Sequence, residues 1–338
     1  MNNLLRMVAV LLVLLMGVSA SQAQSVRPPG NAVNLDDGIE PGPPNTLGNL
    51  SDSEIWRNYR GGDPNDPAQI FGPKPAETYM TTSGQLWRLL RVEYIRKYAG
   101  WFPVGVIGIL LLFHLIKGKM RIKAGRTGKT IPRFTLTQRV AHWYMAAVFI
   151  LLAISGLLIL LGRVIIAPYL GKGANSIITS AAMQGHNLFG PLFLLGLVWM
   201  FVKFVRGNFF QWVDMKWIFK LGGFFGGHVS SSQFNFGEKT WFWMVILIGL
   251  VISASGIALL FPWLLDDLRL LQASSILHGV GAVVLISVAI GHIYVGTIGM
   301  EGSIDSMLKG EVDENWAREH HDLWYEEVTG KSASEETS

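Results

Sequence analysis

The stretch that decides the fold runs from Leu277 to Tyr294 and reads LHGVGAVVLISVAIGHIY. It contains no Asp, Glu, Lys or Arg and is part of an apolar run over 273–300, which exceeds the about 20 residues that a membrane-spanning helix needs. His278 and His292 are fourteen positions apart. On an α-helix they lie within about 40° of one another and about 21 Å apart along the axis. One face of one membrane helix therefore presents two imidazole groups at two depths.

The rest of the chain has the composition of a membrane protein. Of its 338 residues, 50% are hydrophobic and 15% are charged, compared with about 25% charged in soluble domains. Continuous apolar runs are found at 100–116, 140–162, 184–202, 241–264 and 273–300. Such runs predict helices, because the strands of a membrane barrel alternate apolar and polar residues. We predict an all-α membrane protein with no nucleic-acid partner, since the basic residues flank the apolar runs.

The sequence has no cysteine. This excludes disulfides, thiolate-bound Fe–S clusters and covalent C-x-x-C-H haem attachment in this polypeptide. A redox function would therefore depend on a non-covalent cofactor, for which histidine is the natural ligand.

The first 23 residues have the pattern of a secretory signal peptide. Arg6 supplies the positive charge, 7–18 form a short apolar core, and Ser21-Gln22-Ala23 is a small-x-small cleavage site. An uncleaved signal anchor is the alternative. Either one would export the residues that follow.

Residues 24–99 contain nine of the fourteen prolines. Proline with interspersed Gly, Asn and Asp favours turns and extended backbone. We expect an irregular extracytoplasmic segment, with short helices around 53–57 and 85–98, that lies on a partner protein.

The loops between the apolar runs predict the orientation. The segment 117–139 has eight basic residues and no acidic one, and 203–240 has five basic residues, whereas the loops on the other side have at most two. Basic loops stay in the cytoplasm. We therefore predict a cytoplasmic loop at 117–139, a four-helix membrane domain at 140–300 and a cytoplasmic tail at 301–338.

Four of the eight histidines fall inside the last four apolar runs: His142, His186, His278 and His292. An ionisable side chain at membrane depth is a functional candidate. In the predicted orientation His186 and His278 lie toward the outer face, whereas His142 and His292 lie toward the cytoplasm. Each level holds two histidines on different helices, which suits two stacked haems. The predicted fold is a four-helix di-haem cytochrome b bundle with one additional N-terminal transmembrane helix, 100–116, and an irregular exported segment.

Two further residues lie near the predicted ligands. Gly156 is fourteen positions beyond His142 and could leave room for a porphyrin, although small residues also serve ordinary helix packing. Arg139, one turn before His142, is a candidate to bind a haem propionate, with an ordinary loop charge as the alternative. The remaining histidines are predicted to be interfacial or solvated rather than ligands: His114, His228, His320 and His321.

Short motifs surround these histidines. They are RVAHW (139–143), GHNLFG (185–190), FNFGEK (234–239), LHG (277–279), GHIY (291–294), GSI (302–304) and NWA (315–317). Through these motifs, which extend over about 135–327, the chain resembles the gamma subunit, or cytochrome b556 subunit, of membrane-bound respiratory formate dehydrogenases. Its signal peptide, exported segment and first helix resemble those of the longer members.

The resemblance implies a complete electron path. Two haem b groups would be held by the histidine pairs deduced above, and a quinone, menaquinone or ubiquinone, would bind beside the inner haem at Asn235, Gly237 and His292. The partners would be an Fe–S beta subunit and a molybdenum- or tungsten-containing alpha subunit that oxidises formate. The complex would lie in the bacterial cytoplasmic (inner) membrane, and this chain would transfer electrons and reduce quinone without oxidising formate itself.

Two alternatives stay open. The cytochrome b subunit of a hydrogenase or thiosulfate reductase shares the two-haem arrangement. A transporter that relays protons or metal ions through histidines, or a haem-free membrane anchor, belongs to another class and leaves the matched depths of the two pairs unexplained.

Overall fold

A computed structural model describes residues 82–220, 222, 229–265 and 267–333. The predicted signal peptide, the first part of the exported segment, the helix expected around 53–57 and His228 lie outside these residues. The helix expected around 85–98 is present. It consists of Thr82–Arg88, a π-helical turn at Leu89–Ile95 and Arg96–Tyr98.

Long apolar helices form the membrane domain, as predicted for an all-α membrane protein. The first helix, α1, is Trp101–Lys117. A helical run over Leu136–Phe204 has a non-helical residue at Gly171, and we call its two arms α2 (136–170) and α3 (172–204). Helix α4 is Trp212–Phe219, α5 is Phe236–Leu260 and α6 is Leu268–Tyr294. The runs Gly84–Lys117, Leu136–Phe204, Phe236–Leu260 and Leu268–Gly299 are each long and apolar enough to cross a membrane.

Helices α2 and α3 form an antiparallel hairpin about Gly171. The run of 69 residues would be about 100 Å long if straight, roughly three times the thickness of the hydrocarbon layer. Gly171 has φ 83° and ψ 165°, which only glycine adopts readily. Across the hairpin, the Tyr144 hydroxyl donates to the carbonyl of Leu192 at 3.0 Å.

The hairpin corrects the loop expected between the apolar runs 140–162 and 184–202, because 163–183 is helical except at Gly171. Polar side chains in this stretch form hydrogen bonds with the backbone of their own helix. Thr179, for example, donates to the carbonyl of Asn175 at 2.7 Å. Such i−4 bonds let hydroxyl residues continue a helix in an apolar setting.

Capping boxes start α2 and α5 before the apolar runs begin. The Thr135 hydroxyl accepts from the Gln138 amide, and the Asn235 side chain accepts from the Glu238 amide at 3.0 Å. A capping box satisfies backbone amides that have no partner within the helix. The helices therefore begin at 136 and 236 instead of at the predicted 140 and 241.

After Leu260 the chain forms a 3₁₀ turn at Pro262–Leu264, and α6 continues into a π-helical turn at Val295–Gly299. Helix α1 packs against α6. His114 does have a partner, because its Nδ1 lies 3.1 Å from the hydroxyl of Tyr294. The prediction that His114 is interfacial rather than a haem ligand stays a prediction.

The tail folds with the loop that precedes α2. Strand β1, Thr130–Pro132, pairs antiparallel with β2, Glu311–Asp313. Three short helices complete this part: α7 at Asp305–Leu308, α8 at Glu314–His320 and α9 at Asp322–Thr329. They enclose a small core of Ile122, Val312, Trp316, Ala317, Trp324 and Tyr325. The tail is thus a packed module rather than a solvated charged extension.

Candidate haem-binding sites

The four membrane histidines lie in two pairs that share helix α6. His186 on α3 faces His278, with ring centroids 5.9 Å apart and an interplanar angle of 73°. His142 on α2 faces His292, with centroids 6.2 Å apart and an angle of 57°. The structure thus brings together the two couples that matched depths in the sequence suggested.

The spacing within each pair suits one metal ion between the two rings. An imidazole nitrogen binds a transition metal at about 2 Å and the ring centre lies roughly 1 Å behind it, so two rings on opposite sides of one ion have centres roughly 6 Å apart. Among the described residues, no group of three or more His, Asp or Glu side chains could hold a metal ion. A bare zinc ion takes about four ligands. Two facing imidazoles alone fit an ion that brings its own equatorial ligands, as haem iron does.

Hydrogen bonds orient the rings of the His186–His278 pair. His186 Nδ1 lies 2.9 Å from the hydroxyl of Ser155. His278 Nδ1 lies 3.0 Å from the carbonyl of Ile252 and 3.3 Å from the hydroxyl of Ser255. A carbonyl can only accept, so the His278 proton is on Nδ1 and its Nε2 lone pair is available to a metal.

Two glycines leave steric space for the imidazole rings of His186 and His278. A Cβ added to Gly156 would lie 3.3 Å from Cε1 of His186, and one added to Gly256 would lie 3.1 Å from Cε1 of His278. Both separations are tighter than ordinary contact, so a side chain at either position would push against the imidazole. Gly156 therefore makes space for the ring of His186, and its predicted role in leaving room for a porphyrin stays a prediction. Gly256 was not singled out by the sequence.

The His142–His292 pair has different surroundings. Within the described part of the chain, Nδ1 of His142 is buried without a hydrogen-bond partner. The ring of His292 stacks on Trp241, with centroids 4.9 Å apart and an angle of 18°. His292 is nevertheless exposed. Trp241 was missed by the sequence reasoning, although it lies two residues after the matched FNFGEK stretch.

Arg139 bonds to the tail. Its Nη1 donates to the carbonyl of Leu308 at 2.7 Å, which ties the first turn of α2 to α7. Its Nε is buried, and the described residues offer it no acceptor. The guanidinium thus has a structural role, and its binding to a haem propionate stays a prediction.

Asn235 and Gly237 lie at the start of α5. Oδ1 of Asn235 is occupied by the cap, since it accepts from the Glu238 amide at 3.0 Å. The described residues give its Nδ2 group no acceptor, so this donor is available to a carbonyl. A Cβ on Gly237 would lie 3.2 Å from both Asn235 Oδ1 and the ring of Trp217, so glycine keeps this corner open.

A buried cluster behind the Asn235 cap joins the tail to α5. Nη2 of Arg133 donates to the carbonyl of Gln233 at 2.8 Å and to Glu238 at 3.0 Å, and it lies 3.2 Å from Nε2 of His321. His321 is 1% exposed. Its Nδ1 donates to the carbonyl of Ser232 at 2.8 Å. Burial, and then the charge of Arg133, lower the pKa of His321 to about 4, so the ring is neutral at pH 7.

This cluster corrects the prediction that His321 is solvated. The contacts of this cluster join residues that are 89 to 188 positions apart along the chain, so a sequence pattern could not connect them. In the sequence, Arg133 is one of the eight basic residues of the segment 117–139 and has no feature that sets it apart. In the structure its guanidinium also lies 4.9 Å from the ring centroid of Trp316, in a cation–π contact.

A buried ion pair joins α5 to α4. Nζ of Lys239 lies 2.9 Å from Asp214 of α4, and both side chains are at most 3% exposed. The pair borders a cavity of about 340 Å³ whose other walls are mostly apolar. The cavity is lined by Asn208, Phe210, Phe236, Thr240, Trp243, Met244, Leu247 and Ile248.

Comparison with known proteins gives consistent matches. A family model described as prokaryotic cytochrome b561 matches residues 133–310, which include all four membrane histidines. The chain is 26% identical over 221 residues to the cytochrome b556(Fdn) subunit of the nitrate-inducible formate dehydrogenase of Escherichia coli K12, covering 62% of this chain and 96% of that protein.

Two more relatives carry similar names. The cytochrome b556(fdo) subunit of a formate dehydrogenase of Escherichia coli K12 is 29% identical over 209 residues, or 59% of this chain and 93% of its own length. The formate dehydrogenase cytochrome b556 subunit of Haemophilus influenzae is 23% identical over 214 residues, or 60% and 85%. This chain therefore covers most of the length of each of these relatives.

Proposed function

We propose that this chain, which belongs to the prokaryotic cytochrome b561 family, is the cytochrome b subunit of a membrane-bound formate dehydrogenase and carries electrons through two haem b groups to a quinone. Membership of the family implies haem b. The count of two and the ligands rest on one observation, the two facing histidine pairs with ring centroids 5.9 and 6.2 Å apart.

Haem b with two imidazole ligands supplies one-electron transfer and has no open position for oxygen. The protein's own contribution is to fix the two sites on one rigid helix. His278 and His292 hold one ring of each pair, and at fourteen residues they are about 21 Å apart along α6. The opposing rings come from the two arms of the α2–α3 hairpin, so a single packing arrangement positions both sites.

The basic loops give the direction. If 117–139 and 203–240 are cytoplasmic, the His186–His278 site lies toward the outside and the His142–His292 site toward the cytoplasm. Electrons from an extracytoplasmic molybdenum or tungsten subunit would enter through an Fe–S subunit at the first site and leave at the second. Inward movement opposes an inside-negative potential by about 2.3 kcal/mol per 100 mV. The complex would thus generate proton-motive force across the bacterial cytoplasmic membrane.

We assign quinone reduction to the corner formed by Asn235, Gly237 and His292. Nδ2 of Asn235 is a donor suited to a quinone carbonyl, Gly237 keeps the approach open, and His292 is exposed. The packed tail reaches this corner through His321, whose Nε2 lies 3.2 Å from Nη2 of Arg133, and Arg133 in turn bonds to Glu238 at 3.0 Å. Protons for the reduced quinone would come from the cytoplasmic side.

The haem assignment is tested by counting haem. The purified subunit should contain two b haems by pyridine haemochrome, and His278→Ala and His292→Ala should each contain about one. His114→Ala is the matched control, because this histidine bonds to Tyr294 and belongs to neither pair. A colourless protein, or equal loss in all three variants, would sink the proposal.

The donor is tested in membranes that contain the complete complex. Formate should reduce the haems, and a quinone analogue that blocks the Asn235 corner should leave them reduced. Asn235→Ala should slow their reoxidation by quinone. Reduction of the haems by hydrogen instead of formate, or oxidation of the reduced haems by thiosulfate, would assign the chain to the alternative complexes.

A further inference from the structure

A Ser-Gly pair occurs twice in the bundle, each time beside a histidine on the following transmembrane helix. Ser155 and Gly156 on α2 contact His186 on α3, at 2.9 Å for the hydroxyl and Nδ1. Ser255 and Gly256 on α5 contact His278 on α6, at 3.3 Å for the corresponding atoms. The two rings of this site are therefore held in the same way from opposite sides.

The protons in these contacts can be assigned. Each serine hydroxyl donates to a carbonyl four residues earlier, at 2.8 Å for Ser155 with Leu151 and 2.7 Å for Ser255 with Val251. A hydroxyl has one proton. Once that proton is used, the serine oxygen can only accept, so the imidazole donates from Nδ1–H. Both rings then keep the Nε2 lone pair available to a metal.

The other site is built differently. Nδ1 of His142 is buried with no hydrogen-bond partner in the described part of the chain, and His292 stacks on Trp241. A ligand imidazole that donates its second N–H to an acceptor becomes more basic. A more basic ligand stabilises the oxidised, more positive metal. The two sites therefore differ in how strongly they favour oxidised iron.

We propose that Ser155 and Ser255, the latter together with the Ile252 carbonyl that lies 3.0 Å from Nδ1 of His278, are positioning residues that hold His186 and His278 as Nδ1–H donors and so make this site the one with the lower midpoint potential. The inference rests on the proposed function, because it requires haem at both pairs. The inference adds to the proposed function an order of midpoint potentials. Because the potential would rise from the His186–His278 site to the His142–His292 site, electron transfer in that direction would be favourable. Two serines thus favour the direction in which electrons must go to reach quinone.

Potentiometric titration of the purified subunit, followed by its visible spectrum, tests this proposal. The wild type should titrate in two steps. His186→Ala should lose the lower step and His142→Ala the higher one. S155A should shift the lower step to higher potential, and S255A should shift it by a smaller amount, because the Ile252 carbonyl remains 3.0 Å from Nδ1 of His278. Both variants should leave the other step unchanged. Low-spin EPR signals should shift for the same haem.

Two variants serve as controls. Ser287 on α6 donates to the carbonyl of Val283 at 2.7 Å, the same i−4 bond, from the side of the helix opposite His278. Ser287→Ala should leave both steps unchanged. Ser155→Thr keeps a hydroxyl that can bond the helix carbonyl, so its lower step should have the wild-type potential.

The outcomes separate the two proposals. Fewer than two haems in the wild type would overturn the proposed function. Two haems with an unshifted lower step in S155A and S255A would overturn this inference alone. If S155A loses its outer haem, recovery in Ser155→Thr supports the positioning role, whereas loss in both variants overturns it.

Discussion

The ring of Trp241 stacks on that of His292, with centroids 4.9 Å apart and planes 18° from parallel. Of the four membrane histidines, His292 is also the one exposed in the structure. A flat aromatic contact on one side fixes the imidazole plane without using a ring nitrogen. Trp241 therefore replaces, at this site, the hydrogen bonds that orient His186 and His278.

Replacing Trp241 should affect one haem of the two. Aromatic pairs contribute roughly 0.5–1.5 kcal/mol beyond the area that they bury. Trp241→Ala should lower haem retention at the His142–His292 site, while Trp241→Phe keeps most of it. Haem stoichiometry and the potential of the remaining haem would measure this. Equal loss from Trp241→Phe and Trp241→Ala would contradict a stacking role.

Alanine at Gly156 or Gly256 should disturb the other site. The new methyl group would lie 3.3 Å from the ring of His186 or 3.1 Å from that of His278, so the imidazole must shift from its present position. Each variant should weaken haem binding at the His186–His278 site and leave the His142–His292 site unchanged. Gly108→Ala is the matched control, because no atom lies within 4 Å of the added carbon, and it should retain two haems.

The buried pair of Asp214 and Lys239 should matter for stability rather than for redox chemistry. Removing one partner of a buried ion pair leaves an uncompensated charge and costs about 3–5 kcal/mol. Asp214→Asn should therefore lower the thermal unfolding temperature in detergent markedly. Asp214→Leu combined with Lys239→Met should recover much of the loss. A double variant less stable than Asp214→Asn would contradict this account.

The histidine pairs could be predicted because they depend on few quantities. The spacing of fourteen residues along α6 sets the two depths of its histidines in the membrane and places both on one face of the helix. The direction of the other helices then decides which histidine lies at each of these depths. The helix ends were less accessible, since Thr135 and Asn235 start helices outside the apolar runs. The helical continuation through 163–183 was missed because hydropathy falls there, although Thr179 bonds back to its own helix.

The surroundings of the histidines could not be predicted in the same way. Ser155 and Ser255 look like ordinary serines of membrane helices, which commonly bond their own backbone. Their second partner is visible once the helices are packed. The burial of His321 depends on Arg133, which is 188 positions away. Such contacts have no local periodicity, so they require the structure.

His321 gives the tail a pH dependence whose sign follows from its surroundings. The charged and titratable groups that act on it are Arg133 before α2, Glu238 on α5 and its neighbour His320. Its pKa is lowered to about 4 in the folded protein, compared with about 6.5 in an unfolded chain. Between these values the unfolded state binds more protons, so stability rises with pH. The contribution, of order 3 kcal/mol at most, is present above pH 6.5 and is lost as the pH falls toward 4.

Amide hydrogen exchange in α8 and α9 can measure this effect, after correction for the intrinsic pH dependence of exchange. Protection of these helices should decrease between pH 6.5 and pH 4.5 in the wild type. His321→Asn keeps a donor for the carbonyl of Ser232 but does not titrate, so its protection should vary less with pH. His320→Gln is the matched control and should behave like the wild type. If His321→Asn loses protection over the same pH range as the wild type, the titrating group is not His321.

Because the tail contacts the Asn235 corner through Arg133 and Glu238, a loosened tail should also weaken quinone binding at low pH, and His321→Asn should remove that dependence as well.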